Sequence, residues 1–341
     1  MNIKITFLYP FFMLFFAFQV FAQTDTVFIA QWNVENLFDA VDDPDKNDED
    51  FLPDGKKEWT GNKIDLKLEH LAKVIAWMNS GKGPDILAVE EVEHKYLLDT
   101  LLTRHLKNHN YKIAYKESPD KRGIDNGLIY NSAIFSLIDV KAIHVELPSK
   151  YPTRDILQIH LKAVANKEDL YCFVNHWPSR RGGEEKSRPN RIAAAQTLRT
   201  AIDSLQNLYG NAKIIILGDF NDEPNNTSIV EFLKAVPVVC NDTLSVGTFY
   251  NLAYDIFTKG LGTYLYRGDW NMLDQIIVSS SIINGESKFQ FICNSFMLIK
   301  PQFMITQHGK YKGAATPTFG GRKYLKGFSD HIPVGAKFIL K

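Results

Sequence analysis

Apolar residues in this chain gather in short runs that stop abruptly at polar clusters. Val27 to Trp32, Ile86 to Val89, Gly127 to Tyr130, Leu170 to Val174, Ile214 to Leu217 and Ile276 to Val278 are the clearest. Their length and β-branching predict buried strands. Helical spacing shows in two places. In Lys63 to Asn79 the stripe is Ile64, Leu68, Leu71, Ile75 and Met78. In Pro189 to Leu205 it is Ile192, Ala195, Leu198, Ile202 and Leu205, with Pro189 placed to open the helix. Many strands and few helices predict a mixed α/β domain with stacked sheets. With no internal repeat and no Pro/Gly/Ser linker, residues 23–341 are expected to form a single domain.

The N-terminus breaks this pattern. Lys4 precedes an uncharged, mostly apolar run from Ile5 to Phe21, and Val20 and Ala22 put small side chains where a signal peptidase reads. Residues 1–22 therefore read as a signal peptide, with Gln23 opening a secreted or periplasmic chain. A membrane anchor is the alternative, disfavoured by the short run and its small-residue exit. No Cys follows the run to carry a lipid, and no later stretch is apolar enough to span a bilayer.

Composition narrows the partners. The whole chain has 341 residues with 39 basic and 39 acidic side chains, and loss of Lys4 leaves 38 against 39. Near-neutrality argues against coating nucleic acid by charge alone but permits a local basic groove. Cys172 lies in a strand run and reads as a buried thiol; Cys240 and Cys293 are a possible disulfide that sequence leaves open. The acidic stretch Asp42 to Asp50 reads as a solvated loop, since it lacks the helical-loop calcium spacing.

The chemistry sits where the strands end. Gln31-Trp32-Asn33-Val34-Glu35-Asn36, Val89-Glu90-Glu91, Val174-Asn175-His176-Trp177, Leu217-Gly218-Asp219-Phe220-Asn221-Asp222, Asn271-Met272-Leu273-Asp274-Gln275 and Phe328-Ser329-Asp330-His331 are all such endings. One carboxylate after a strand is usually a cap or turn residue. Six endings rich in Asp, Glu, Asn and His point instead to side chains converging in space. Oxygen donors with few histidines and no cysteine suit a hard cation such as Mg²⁺, Mn²⁺ or Ca²⁺. Such ions act best on phosphate esters, whose charge they neutralise.

In this order the clusters resemble the endonuclease/exonuclease/phosphatase superfamily, over about Val27 to Leu340. Asn33-Val34-Glu35 is similar to its first motif, and Val89-Glu90-Glu91-Val92 to a Leu-Gln-Glu-Val that aligns Glu91, not Glu90, with the metal ligand. Gly218-Asp219-Phe220-Asn221 matches the family's Gly-Asp-Phe-Asn. Leu273-Asp274-Gln275 and Ser329-Asp330-His331 resemble its last two motifs. The resemblance implies a four-layer α/β/β/α sandwich of two packed, mainly antiparallel sheets flanked by helices. It also implies a metal, Mg²⁺ or else Mn²⁺ or Ca²⁺, held by Glu91 with Glu35, Asn33 and Asp330. Asp274 would orient His331, which contacts phosphate or activates water. Asp219 would accept or position the water proton, and Asn221 would bond a phosphoryl oxygen.

His176 follows a strand beside Asn175, where the nuclease branch contacts the leaving group, so both are expected at the phosphate, His176 as contact or general acid. Arg180 and Arg181 follow and are expected to pair with substrate phosphate. Asn126, in Lys121 to Gly127, either lines the site or caps a strand. His70, His94, His105 and His109 read as surface residues.

The arginine loop and His176 favour a monomeric nuclease acting on DNA or RNA. The alternative is a phosphatase or phosphodiesterase for a small-molecule or lipid-headgroup phosphate ester, which Trp59, Trp177 and Trp270 would serve if exposed. A non-catalytic binding domain is opposed by the Asp274 and His331 pair, which binding alone does not require.

Overall fold

The computed structural model describes residues 25–239, 247–283 and 287–341. The leader proposed for residues 1–22 and the Cys240 half of the possible disulfide lie outside them. Cys172 is a free, buried thiol.

In chain order the strands are β1 (Asp25–Leu37), β2 (Ile86–Val92), β3 (Tyr111–Tyr115), β4 (Asp125–Asn131), β5 (Phe135–Ile143), β6 (Ile156–Ala163), β7 (Asp169–His176), β8 (Ile214–Asp219) and β9 (Ala235–Pro237). They continue as β10 (Phe249–Asn251), β11 (Tyr264–Tyr266), β12 (Asp269–Asn271), β13 (Asp274–Ser279), β14 (Phe289–Phe291), β15 (Met297–Leu298), β16 (Phe319–Gly320), β17 (Lys323–Tyr324) and β18 (Val334–Leu340). The helices are α1 (Gly61–Gly81), α2 (Lys95–His105), α3 (Glu184–Tyr209) and the short α4 (Tyr254–Thr258) and α5 (Ser280–Ile283).

Two seven-stranded sheets hold most strands. One runs β14-β18-β1-β2-β4-β3 with β15 also on β18; the other runs β5-β6-β7-β8-β13-β10-β9. Pairing is mostly antiparallel, but β1–β2, β7–β8 and β9–β10 are parallel. Alternation along each strand explains the layering. Val27 and Ile29 of β1, Cys172 and Val174 of β7, and Ile215 and Leu217 of β8 share the core between the sheets. The intervening Phe28, Ala30 and Trp32 pack with Leu68, Leu71 and Ile75 of α1. On the far side Phe173, Ile214 and Ile216 pack with Ala195, Leu198 and Ile202 of α3. Both faces of the central strands are therefore covered, as continuous apolar runs require. The result is the four-layer α/β/β/α sandwich.

Two expectations shift. α3 begins at Glu184, so Pro189 lies inside the helix and does not open it. Glu184 and Glu185 favour the earlier start by placing negative charge at the helix N-terminus, and Arg180 Nη1 holds Glu184 at 3.2 Å. Trp59 and Trp177 are fully buried, donating their indole N–H to Phe38 O and Asn175 Oδ1, and so present no face to a ligand. Among the described residues no helix is long and apolar enough to cross a membrane.

Candidate active site

Strand direction brings the polar endings to one rim. β1 and β2 run parallel and end together, while antiparallel β4 starts opposite the end of β2, with Asn126 across from Glu90. In the other sheet His176 pairs in register with Asp219, and Asp219 with Asp274. Ser329 to His331 lead into β18, whose Val334 pairs with Gln31. Residues almost 300 positions apart thus meet: the Trp32 indole donates to His331 O at 3.0 Å across 299 positions.

Local irregularity then aims individual side chains. The β1–β2 register shifts between Asn33 and Leu37, and the β2–β4 register shifts between Glu90 and Val92. Glu35, Asn36 and Glu91 sit at these bulges with φ of 57°, 50° and 65°. Left-handed backbone at non-glycine residues costs on the order of 1–3 kcal/mol each and persists where the surroundings enforce it. Here the bulge turns Glu91 towards the cavity while Glu90 stays fully buried beneath it. Gly218 has no alternative: with φ of 145°, a Cβ would lie 1.9 Å from Asn175 O of the neighbouring strand.

The rim encloses a cavity of about 770 Å³, lined by Glu91, His176, Asp219, Asn221, Asp330 and His331. His331 Nδ1 lies 2.7 Å from Asp274 Oδ2, and both side chains are buried. Burial alone would lower the imidazole's pKa. The charges of Asp274 and then Asp219 more than reverse this and hold it well above the ordinary value. His176 is the opposite case: burial, reinforced by Arg154 and Arg122, pushes it well below. One histidine is therefore kept charged and the other neutral. Asp219 lies between them, its Oδ2 at 3.9 Å from His331 Nε2 and 3.7 Å from His176 Nε2. Burial pushes the Asp219 carboxyl up to about 6, against the opposing pull of His331.

Of the remaining expected residues, some face the cavity and some do not. Glu91 Oε2 accepts the Asn36 N–H, and Oε1 lies 3.8 Å from His176 Nε2. Asp330 shares the cavity; burial, with Glu91 adding to it, raises its carboxyl above the usual range. Asn221 donates its side-chain N–H to Trp177 O at 2.9 Å. Asn33 is engaged at both ends, accepting from Glu35 N and donating to Asp219 Oδ2. Glu35 points to the loop around β16, accepting from Thr318 N at 2.6 Å with Lys67 Nζ at 3.9 Å. Burial and then Asp330 push it up to about 7. Asn175 is fully buried and committed to Phe173 O, Leu217 O and the Trp177 indole. Asn126 donates to Asp155 O, below the cavity wall.

The two arginines part company. Arg180 lines the cavity but is tied down, donating to Asn221 O at 2.8 Å and Asn226 Oδ1 at 2.9 Å and lying 3.5 Å from Asp222. Arg181 is exposed at the lip.

Several residues of the site carry no motif. Gln31 bridges Glu90 Oε2 and Asp274 Oδ1 at 2.8 and 2.9 Å, linking β2 to β13 under the His331 pair. Glu90 is pushed well above its usual value by burial and by Asp274. Tyr264 stacks on His331 with ring centroids 4.8 Å apart. Arg154, expected nowhere in the sequence, is buried at the cavity wall. It donates to Trp177 O and Asp120 Oδ2, and its Nε has no partner. Arg122 Nη1 stands 3.9 Å from Glu91 Oε1. Only the Lys121-Arg122-Gly123 segment had drawn attention to that wall.

A four-layer sandwich whose strand ends gather carboxylates, an Asp-His pair and guanidinium groups defines a class of phosphoester hydrolase. The chain belongs to the Endonuclease/Exonuclease/phosphatase family, whose sequence profile matches residues 28–339. Members of that family are phosphoester hydrolases and generally depend on divalent metal. It is similar to Protein angel of Drosophila melanogaster, 24% identical over 246 residues covering 63% of this chain and 64% of that protein. The match thus spans under two thirds of the relative's length. An endonuclease/exonuclease/phosphatase family protein of Bacteroides thetaiotaomicron has the same fold, with TM-score 0.57, 15% identity and coverage of 94% and 96%. So does a mannosyl-6-phosphatase of Bacteroides thetaiotaomicron VPI-5482, with TM-score 0.56, 14% identity and coverage of 92% and 99%.

Proposed function

We propose that this chain is a metal-dependent hydrolase of a small phosphate ester, with Asp219 as the base and His331 as a cationic partner of the phosphoryl group. The observation that carries the roles is the opposed tuning around Asp219. An imidazole held charged by Asp274 has no lone pair for the water proton, whereas a carboxyl of pKa about 6 is ionised and still basic at neutral pH. Asp219 takes the proton as the water oxygen attacks phosphorus; the phosphorus–oxygen bond to the alcohol breaks, and the leaving oxygen takes a proton from solvent while Asp219 later releases its own. His331 directs its Nε2–H into the cavity, where negative charge develops. Neutral His176 is a hydrogen-bond partner for a phosphoryl oxygen and not a proton donor.

The donor set fits a hard divalent cation, Mg²⁺ or else Mn²⁺ or Ca²⁺. Glu91 and Asp330 present carboxylate oxygens to one cavity, and the Glu91 charge raises the cost of ionising Asp330. These two would hold the ion, with Glu35 and Asn33 bracing the β1 ending behind them. A bound ion would supply charge neutralisation at the phosphoryl oxygens.

For the substrate, the size of the concavity and the arginines weigh most. A concave space of about 770 Å³ is the size of a small-molecule site. Arg154 and Arg122 line it; Arg180 lines it too, but its guanidinium is largely engaged by Asn221 O, Asn226, Asp222 and Glu184. A nucleic-acid strand remains the second reading. Tyr264 and the exposed Tyr266 stack 6.4 Å apart along the exit, a surface suited to a base.

Residues 23–341, purified with Mg²⁺, Mn²⁺ or Ca²⁺, are to be assayed on a panel of sugar and inositol monophosphates, sphingomyelin, RNA and plasmid DNA. Turnover of monoesters is expected; cleavage of polymer alone overturns the small-ester reading. Activity surviving chelation overturns the metal. Export is part of the proposal: the full chain should appear outside the cytoplasm beginning at Gln23, which N-terminal mass spectrometry reads.

A further inference from the structure

A second group of donors lies just beyond the catalytic rim, on the other side of the β1 and β2 endings. Asp39 follows β1 and Glu93 and His94 follow β2, and one donor atom from each lies within 4.8 Å of the others. Asp39 and Glu93 are buried; His94 is partly buried, against its expected place on the surface.

The charges of this group do not balance. Asp39, Glu93 and the nearby Asp48 are all more than nine-tenths buried, and among the described residues no lysine or arginine pairs with any of them. Glu93 accepts the Asp39 N–H through Oε2 at 2.6 Å. Asp48 accepts the Asp43 N–H through Oδ2, while its Oδ1 is buried without a partner. Asp39, Asp48 and Asp43 all bear on the Glu93 charge, adding to the effect of its burial. His94 does not make up the deficit, because its two nitrogens face Asp43 and Glu117, each at 3.3 Å. Buried carboxylates without a counter-charge are costly, and the protein has two remedies: a proton or a cation.

The geometry points to a cation. We infer that Asp39, Glu93 and His94 form a structural site for a divalent transition-metal ion, distinct from the proposed Glu91 and Asp330 site. Two carboxylates with one imidazole suit Zn²⁺ or Mn²⁺ better than Mg²⁺, which prefers oxygen alone and keeps its water. The acidic segment Asp42 to Asp50, which the sequence offers as a mere solvated loop, is then the flap over this ion, and Asp48 and Asp43 are its outer carboxylates. The ion would staple that loop to the two strand ends carrying Glu35 and Glu91.

The test uses residues 23–341 with Glu91→Gln, so that the proposed catalytic site is impaired. Calorimetric titration with Zn²⁺ and with Mn²⁺ is expected to show one remaining ion per chain, lost when His94→Ala or Asp39→Asn is added. Absence of that ion, or its survival in both double variants, overturns the inference. Preference for Ca²⁺ or Mg²⁺ over Zn²⁺ overturns the transition-metal assignment. A second arm reads stability in the same Glu91→Gln chain, so that the proposed catalytic site takes no part. Zn²⁺ should raise its melting temperature and leave that of the chain also carrying Asp39→Asn unmoved. Without metal the added Asp39→Asn should melt no lower than Glu91→Gln alone, because a buried charge is gone. If the deficit is met by a proton, neither chain responds to Zn²⁺. Failure of the catalytic reading would leave both arms unaffected.

Discussion

Glu91 and Glu93 stand two positions apart on the same strand ending, yet they belong to different chemistry. Glu91 sits on a bulge and turns into a cavity that also contains His331, Arg122 and Arg154. Negative charge there is met by positive charge, and the space between is large enough for a substrate. Glu93 turns to the opposite side, into a packed corner with Asp39, Asp48 and His94, where among the described residues no lysine or arginine forms an ion pair with it. The first arrangement leaves room and balanced charge for a reaction, and the second leaves only a deficit. A carboxylate's role follows from what surrounds it, not from its place in a motif.

That contrast can be broken most sharply at its charged histidine. His331→Ala should lower kcat by about 10²–10⁴, the usual loss for a positioned acid–base group, with the fold intact by circular dichroism. Asp274→Asn should approach that loss, since it removes the carboxylate that keeps His331 charged. A kcat within threefold of wild type for both would remove His331 from the reaction.

The tuning of Asp219 is open to a pH profile. Its folded-state pKa is about 6, and the ionised form is the base, so kcat should rise with pH through about 6. It should then hold level until His331, whose pKa is raised, loses its proton. Asp219→Asn should abolish the acidic limb along with most of the activity. A rate that falls with rising pH through 6 would mean that the protonated carboxyl is the active form.

Arg154→Lys keeps the charge at the wall but loses the planar fork. A charge-assisted hydrogen bond is worth about 1.5–3 kcal/mol, so KM should rise on the order of tenfold or more. Arg181→Ala, at the exposed lip, should change KM less than threefold if the substrate is small. A larger effect of Arg181→Ala on RNA or DNA than on monoesters would shift the weight back to nucleic acid.

The smallest effect concerns the other cluster. Burial, with Asp39 and its neighbours adding to it, pushes Glu93 up to about 8, so the fold favours its neutral form. The stability this contributes is full below the unfolded value near 4.5 and is lost as pH rises through about 8. In the presence of a chelator, Glu93→Gln should therefore gain melting temperature relative to wild type between pH 5 and pH 9. An unchanged difference across that range would show that Glu93 is already compensated.

Legibility followed burial. Strands β1, β2, β7, β8 and β13 were readable because both of their faces are covered and their residues form continuous apolar runs. Strand β5 was not: Phe135 to Ile143 lies at a sheet edge, with Ser136, Asp139 and Lys141 exposed among its apolar residues. Helix α2 escaped because its buried residues, Leu97, Leu98, Leu101 and Leu102, fit into only three turns. In the site, Asp274, His331, Asp219 and Glu91 were legible because their chemistry is unusual at a strand end. Gln31, Arg154 and Tyr264 were not, because each draws its role from partners distant in the chain, as with the 243 positions between Gln31 and Asp274.

The sequence by itself determined which groups are available and that they lie where apolar strands stop, since strand runs and polar endings are local patterns. It also carried the family resemblance, residue by residue. Tertiary structure decided which of those groups face the cavity, which are spent on the protein, and which hold a proton. Asn175 looks like a ligand in a string of letters and is a structural tie in space, whereas Arg154 is the reverse. Two histidines of equal intrinsic basicity are driven apart only when folding buries both, setting one against Asp274 and the other near two arginines. Protonation depends on burial and neighbouring charge, and neither exists until the chain is folded.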